Sequence, residues 1–339
     1  MKWPWQHNKS SGTLAFSSTD AGLGWARMDR AGAALHCGFV DRGDDSAADY
    51  LKRVRDAVPA PGEVIAVLPL PAAQWLRIDA PAVRPEELRA AARWHIKEYI
   101  EGPLDELTLD VMEVDTEPTR ATKQLFVVAA TNRVIRGTTE LARGAGWELG
   151  AIDVAETVQR NLQCAAVAAA GLGGRASAAL VVHGKLCLLS FCADGELFDT
   201  RRLDWEGATQ RHAAPAAAAP EADALEMDFV DYGAEDDAGP ADDGQTPRIV
   251  IELQRSFDVW ERSWPDRPLA VLWVEAGEET TALVALLRRA LGLRVEALDA
   301  GALFPGFVQA CPDAARRQAL LPLLGGLLRT LPSPARANA

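Results

Sequence analysis

Leu68-Pro69-Leu70-Pro71, Trp75-Leu76-Arg77-Ile78-Asp79, Arg84-Pro85-Glu86-Glu87-Leu88 and Arg93-Trp94-His95-Ile96-Lys97-Glu98-Tyr99-Ile100 follow one another in the stretch 68–110. The apolar run Val64 to Leu68 before it reads as a buried strand. Pro69 ends that strand, because proline cannot donate to a sheet ladder. Trp75 to Asp79 alternates like a half-exposed strand. Pro85 with two glutamates behind it suits a helix start, where the first N–H groups are orphaned and the dipole favours anions. Gly102-Pro103 stops the helix. At about 100° per residue, Leu88, Ala92, His95, Ile96 and Tyr99 share one face, and Trp94 lies on the other near Glu87 and Glu98. Trp94 reads either as buried against a neighbouring subdomain or as an aromatic anchor for a partner.

Outward from this stretch, Thr13 to Phe16, Gly24 to Met28 and Ala34 to Val40 read as three successive strands, with a helix at Ala47 to Val58. Strands follow at Leu107 to Val114 and Gln124 to Ala130, joined by a polar turn near Glu117-Pro118. Asn132 to Ala145 reads as a helix and Trp147 to Ile152 as a strand. Asp153 with Glu156 three residues later caps a helix that runs to about Ala170. Gly171-Leu172-Gly173-Gly174 lacks a following Lys-Ser/Thr, so it reads as a helix stop and not a P-loop. Ala178 to Val182, Leu186 to Cys192 and Glu196 to Leu203 repeat the three-strand opening. Leu253, Phe257, Trp260 and Trp264 fall on one face of a helix at Ile249 to Trp264. Leu269 to Val274 is a strand, Thr280 to Leu291 a helix and Leu293 to Leu298 a strand. Phe304 to Ala310 and Arg317 to Leu331 read as closing helices. Strands, helix, strand in this order point to an α/β protein.

The chain has 339 residues and a net charge of −13. Residues 212–247 hold ten acidic side chains and no Lys or Arg, leaving −3 for the rest. That Ala/Pro- then Asp/Glu-rich segment reads as a disordered insert, and the acidity argues against nucleic acid. Met1 to Ser11, with Lys2, Trp3, Trp5 and Lys9, reads as a flexible terminus that could graze lipid headgroups, and 332–339 as a loose tail. The apolar runs Ala165 to Gly174 and Ala319 to Leu331 are too short to cross a bilayer. With no secretory signal visible, the expected location is the cytoplasm. Cys37, Cys164, Cys187, Cys192 and Cys311 form no Cys-x-x-Cys pair and read as reduced, buried thiols with no metal bound. His36, His95 and His183 sit in apolar strings and read as satisfied core residues.

Leu-Pro, then Arg77-Ile78-Asp79-Ala80-Pro81, then Pro85 to Ile100 resembles the matching segment of the PilM group, actin-like proteins of type IV pilus assembly. The resemblance extends over roughly Gly12 to Leu331. It implies an actin-like ATPase fold: two RNase H-like lobes with a small α+β subdomain inserted in the first. The first lobe would cover 12–170 with the insertion at about 68–128. The second would cover 176–331 and contain the acidic insert 212–247. Family members that bind ATP and Mg²⁺ carry Asp-x-Gly-Ser/Thr turns opening each lobe and a late Gly-Gly turn. Here Ser17 stands where the first aspartate is expected and Asp20 is displaced. The second turn reads Val181-Val182-His183-Gly184-Lys185 without a carboxylate. The third reads Glu275-Ala276-Gly277-Glu278-Glu279, whose glutamates would face phosphate with like charge. Ser17, Asp20 and Gly277 therefore read as vestiges of a degenerate nucleotide site, with no catalytic residue and no cofactor. This departure makes the chain look most like the MshI branch, from mannose-sensitive haemagglutinin (MSHA) pilus biogenesis.

The resemblance implies a cytoplasmic scaffold, peripheral to the inner membrane, that binds the N-terminal cytoplasmic peptide of a PilN-like single-span protein. An assembly ATPase or an inner-membrane platform protein are further partners it suggests. In the family the peptide lies between the first lobe's core and the inserted subdomain, which makes Trp75, Arg77, Trp94 and Tyr99 the groove candidates. Alternatives are an ATP-binding PilM-type switch using ATP and Mg²⁺, or a GspL-like cytoplasmic protein of type II secretion. A sugar kinase of the same broad class would need a catalytic Asp and phosphate glycines that are not found.

Overall fold

The computed structural model of the protein describes residues 12–29, 34–58, 62–114, 123–208 and 246–329. The expectations for 1–11, for the turn near Glu117-Pro118, for nearly all of 212–247 and for 332–339 fall outside these residues.

Strands β1 (Thr13–Thr19), β2 (Gly22–Met28) and β3 (Leu35–Asp41) form an antiparallel meander. Helix α1 (Ala47–Ala57) crosses to β4 (Glu63–Val67), which pairs parallel with β1. Ser46 caps α1 by accepting from Asp49 N at 3.2 Å. The chain then leaves this sheet for β5 (Ala73–Asp79), α2 (Leu88–His95), β6 (Leu107–Glu113) and β7 (Gln124–Thr131). These strands make a separate antiparallel sheet in the order β5-β7-β6. Helix α3 (Asn132–Gly144) and β8 (Leu149–Asp153) bring the chain back, so the first sheet is β3-β2-β1-β4-β8.

Helix α4 (Ala155–Ala169) leads to a second copy of the same plan. Strands β9 (Ala176–His183), β10 (Leu186–Ala193) and β11 (Glu196–Asp204) form another meander. Asp194 and Gly195, with φ of 52° and 85°, make the β10–β11 turn. A pair of left-handed residues is what a two-residue hairpin needs to match strand twist. After α5 (Arg248–Ser263), β12 (Leu269–Glu275) pairs parallel with β9. Then come α6 (Thr280–Ala290) and β13 (Val295–Ala297), giving β11-β10-β9-β12-β13. Short helices α7 (Ala300–Leu303) and α8 (Phe307–Ala310) precede α9 (Ala314–Leu327). Two sheets of equal order and strand direction, one carrying an insertion after its fourth strand, are the actin-like architecture expected from the sequence.

The helices α4 and α9 lie between the two sheets. Ala15, Ile65 and Val67 of the first sheet, Ala179, Val181 and Val271 of the second, and Leu162, Leu320 and Leu324 of the helices share one buried layer. Gly325 makes this possible: an added Cβ there would sit 2.1 Å from Val158 O, so the two helix backbones touch. The outer face of the second sheet is filled by the aromatic face of α5, as its spacing predicts.

Several expectations are corrected. Helix α2 ends at His95, and Ile96 to Ile100 turn away. The cause is distant in sequence: Gln74 Nε2 donates to Glu101 O at 3.0 Å and Gln74 Oε1 accepts from Glu101 N at 2.8 Å. That grip pulls the segment across β5. Leu88, Ala92 and Ile96 pack on the inserted sheet, whereas His95 is exposed and Tyr99 is 61% exposed. His36 is likewise exposed, on edge strand β3. The helix expected at Phe304 to Ala310 is split, with α7 before Phe304 and α8 after Gly306, whose φ is 92°. The last helix begins earlier than expected because Asp313 caps it, accepting from Arg316 N at 2.9 Å.

Candidate functional site

The residues expected to cap α4 do something else. Asp153 pairs with Arg329 beyond α9 and accepts from Thr157 Oγ1. Glu156, 1% exposed, accepts from Arg202 of β11 at 2.6 and 3.0 Å. Gln159 Nε2 donates to Ala179 O and Leu188 O, and Gln163 Nε2 to Ser177 O. Helix α4 is therefore bonded to both lobes through buried polar groups, while Asp153 Oδ2, Glu156 Oε2 and Gln159 Oε1 are buried without a hydrogen-bond partner among the described residues.

Burial raises the Glu156 carboxyl above its ordinary 4.5, against the pull of Arg202. The folded chain thus binds that proton more tightly than the unfolded chain. Residue 156 adds stability fully below 4.5, and that contribution drains away as pH rises through the raised folded value. The Tm of wild type minus that of Glu156→Gln is expected to fall as pH rises from 4.5 toward neutrality. A difference that widens over that interval would mean that ion pairing with Arg202 outweighs the burial cost.

Between the lobes, at the ends of β1, β4 and β9, lies a cavity of about 380 Å³. Ser17, Leu68, Pro69, His183 and Gln318 line it, and none of the residues lining it is an Asp, Glu, Lys or Arg. His183 is held neutral with a pKa of about 4, first by burial and then by the Arg202 charge. The two hairpins that open here are tight: Thr19 pairs with Gly22 and His183 with Leu186, leaving two residues in each turn. Gly277, φ 57°, lies against Gln318, whose Oε1 is 2.7 Å from where a Cβ would be. Gln318 Nε2 donates to Val182 O at 3.2 Å, so this side chain bridges the β12 turn and the end of β9. Two glutamates of that turn accept backbone bonds: Glu275 Oε1 from Gly277 N within the turn, and Glu279 Oε2 from Ala208 N beyond β11. Of the three vestigial positions, Ser17 faces this cavity, Gly277 abuts Gln318, and Asp20 points to a different groove.

That groove lies in the first lobe between the β1–β2 turn and α3, with Leu68, Pro69 and Ala72 at the start of the insertion along its side. It holds about 360 Å³, with a floor from Phe16, Ala66 and Val67. Ser18, Thr19 and Asp20 form one wall; Arg133, Val134, Gly137 and Thr138 of α3 form the other. It continues past Asp20 into a second hollow of about 360 Å³ along Tyr50, Leu51, Glu140 and Leu141. From Arg133 to Leu141 the wall runs about 12 Å at the helical rise, the length of about four extended residues.

The four groove candidates are not brought together. Trp75 and Arg77 point to one face of the inserted sheet, Leu76 and Ile78 to the other, where α2 packs. Trp75 meets Phe126 at 4.8 Å with the rings tilted by 41°, in a cluster with Cys192 and Leu197 of the second lobe. Arg77 pairs with Asp199 of β11 at 3.2 Å. These two side chains therefore latch the insertion to the second lobe. Trp94, 72% exposed, and Tyr99 lie beyond the opposite face, and the Lys97 ammonium sits 6.0 Å from the Trp94 ring. Sequence reasoning missed Arg133, Gly137 and Gln318. An isolated glycine inside a helical pattern was a signal at Gly137; Gln318 gave none.

Among the described residues, no helix is long and apolar enough to cross a membrane, and no group of three or more His, Cys, Asp or Glu could hold a metal. No family model and no curated protein matches the chain. A solved structure does: a PilM–PilN type IV pilus biogenesis complex, at a TM-score of 0.64 and 18% identity, over 95% of this chain and 99% of that one. The chain has the PilM fold. More distant likenesses are to the cytoplasmic domain of EpsL, an inner membrane component of the Vibrio cholerae type II secretion system, and to a Bacteroides thetaiotaomicron protein of actin-like ATPase fold. The first has a TM-score of 0.41 at 12% identity over 57% of this chain and 71% of that one. The second has 0.47 at 10% identity over 90% and 97%.

Proposed function

We propose that this protein is a PilM-like scaffold of type IV pilus assembly that holds an extended peptide of a PilN-like protein and does not use ATP. The observation that carries the reading is the groove between the β1–β2 turn and α3, beside the start of the insertion, in a chain whose fold resembles that of a PilM–PilN complex over 95% of its length. Its apolar floor suits side-chain anchors, while Asp20 and Arg133 at the rim suit backbone and charged groups of a strand-like ligand. The absence of a carboxylate for Mg²⁺ and of a cation for phosphate around the cleft supports the loss of nucleotide binding. Pro69, Pro71 and Pro322 around that cavity have no N–H to offer phosphate. The departures at Ser17, His183 and Gly277 from the nucleotide turns favour an MSHA-type system, and a single-span partner would hold the scaffold at the inner membrane.

Gly137 provides a clean test. It lines the groove, and a Cβ there meets nothing within 4 Å. Gly137→Trp is expected to fill the groove while keeping the fold, since any side chain in a helix interior is favoured over glycine. Calorimetric titration with the N-terminal cytoplasmic peptide of the PilN-like protein should show affinity reduced about tenfold or more, equivalent to about 1.4 kcal/mol, with Tm not lowered. Unchanged affinity in the folded variant would place the peptide elsewhere.

A further inference from the structure

Cys164 of α4 and Cys192 of β10 line the same surface hollow of about 380 Å³, walled by Gly173, Gly174 and Asp194. The two thiols are near enough that each shifts the acidity of the other. Cys192 is buried, its Sγ 3.2 Å from Gln163 Oε1, while Cys164 is partly exposed. Arg160 sits one helical turn before Cys164, and its guanidinium favours a thiolate there. One thiol is thus open to small solutes with a second buried behind it, held by two different elements. We propose that Cys164 and Cys192 form an oxidisable dithiol, in which Cys164 meets a peroxide-class oxidant and Cys192 closes the disulfide.

The chemistry balances. The Cys164 thiolate attacks one oxygen of hydrogen peroxide, the O–O bond breaks, and hydroxide takes a proton and leaves as water; Cys164 is now a sulfenic acid. Cys192 sulfur then displaces the sulfenic oxygen, which departs as a second water with the Cys192 proton. Two thiols have lost two electrons, and the peroxide has gained them. The new bond would staple the helix between the lobes to the second sheet.

The other thiols serve as internal controls. Cys37 and Cys311 also touch, but burial pushes Cys37 up to about 11 and also raises Cys311. Cys187 is pushed up to about 12 by burial. The neighbouring Cys192 side chain, and then the Arg160 charge, hold Cys164 below the ordinary value despite burial.

The reduced full-length chain is treated with hydrogen peroxide, alkylated at intervals and mapped by non-reducing peptide mass spectrometry. A Cys164–Cys192 crosslinked peptide should form, with free Cys164 lost about tenfold or more faster than Cys37, Cys187 or Cys311. Cys192→Ser should leave a dimedone-reactive sulfenic acid at Cys164. If that variant fails to fold, the crosslink in wild type decides. Formation of a Cys37–Cys311 bond first, equal loss of all thiols, or persistence of both free Cys164 and free Cys192 would overturn the proposal.

Discussion

Replacing Gly325 by alanine is expected to destabilise the protein by about 3 kcal/mol, at the upper end for an overpacked core site. The added carbon would sit 2.1 Å from Val158 O and 2.8 Å from Val158 C. Those are backbone atoms of α4, so relief requires shifting one helix against the other. The shift would strain the bond from Asn161 Nδ2 to Gly325 O, 2.9 Å. It would also press Gly326 onto Val67 and Ala15, which already approach its missing side chain at 3.0 and 3.3 Å. Alanine's helix propensity offsets only about 1 kcal/mol of this. Gly137→Ala makes the same exchange in open space and should instead stabilise by about 0.5–1 kcal/mol. Urea unfolding of both variants, followed by circular dichroism, checks the pair. A Gly325→Ala protein as stable as wild type would contradict the contact between α4 and α9.

Trp260→Ala should cost about 3–5 kcal/mol, as for other buried large aromatics cut to alanine. Trp260 is 2% exposed and stacks on Phe191 at 5.1 Å with an 8° interplanar angle. Phe198 and Trp264 meet it at 6.0 Å each. Its Nε1 donates to Arg267 O at 2.8 Å, fixing the turn between α5 and β12. Trp260→Phe keeps most of the ring contacts and loses the donor, so its cost should fall to about 1–2 kcal/mol. Denaturant midpoints order the three proteins. Equal loss in both variants would assign the stability to the indole hydrogen bond and not to the aromatic stack.

Much of this fold was legible because local periodicity carried it. The short apolar runs at Thr13 to Phe16 and Ala178 to Val182 named the opening strands of both sheets, and the repeat of three strands pointed to the duplication. The apolar spacing of α5 named its buried face. What local pattern could not show was set by distant partners. Gln74 holds the backbone of Glu101 and so shortens α2. Asp313 begins the last helix, although the apolar pattern rises only after it. Strand parity placed Trp75 and Arg77 on one face, but nothing local says that α2 covers the other, so four aromatic and basic residues read as one site belong to two. Ser17, Asp20 and Gly277 were recognisable as turn positions from the hairpin order. The bridge that Gln318 builds across the cleft depends on α9 running between the lobes, which no local signal encodes.

The central claim is that the peptide groove, and not the interlobe cleft, is the working site. Hydrogen–deuterium exchange on the full chain, with the PilN-like N-terminal peptide and separately with Mg-ATP, tests it most directly. The account predicts that the peptide slows exchange at Ser18 to Asp20, Leu68 to Ala72 and Arg133 to Leu141, and that Mg-ATP changes nothing. Protection by Mg-ATP at Ser17, His183 and Gln318, or peptide protection confined to Trp94 and Tyr99, would contradict it.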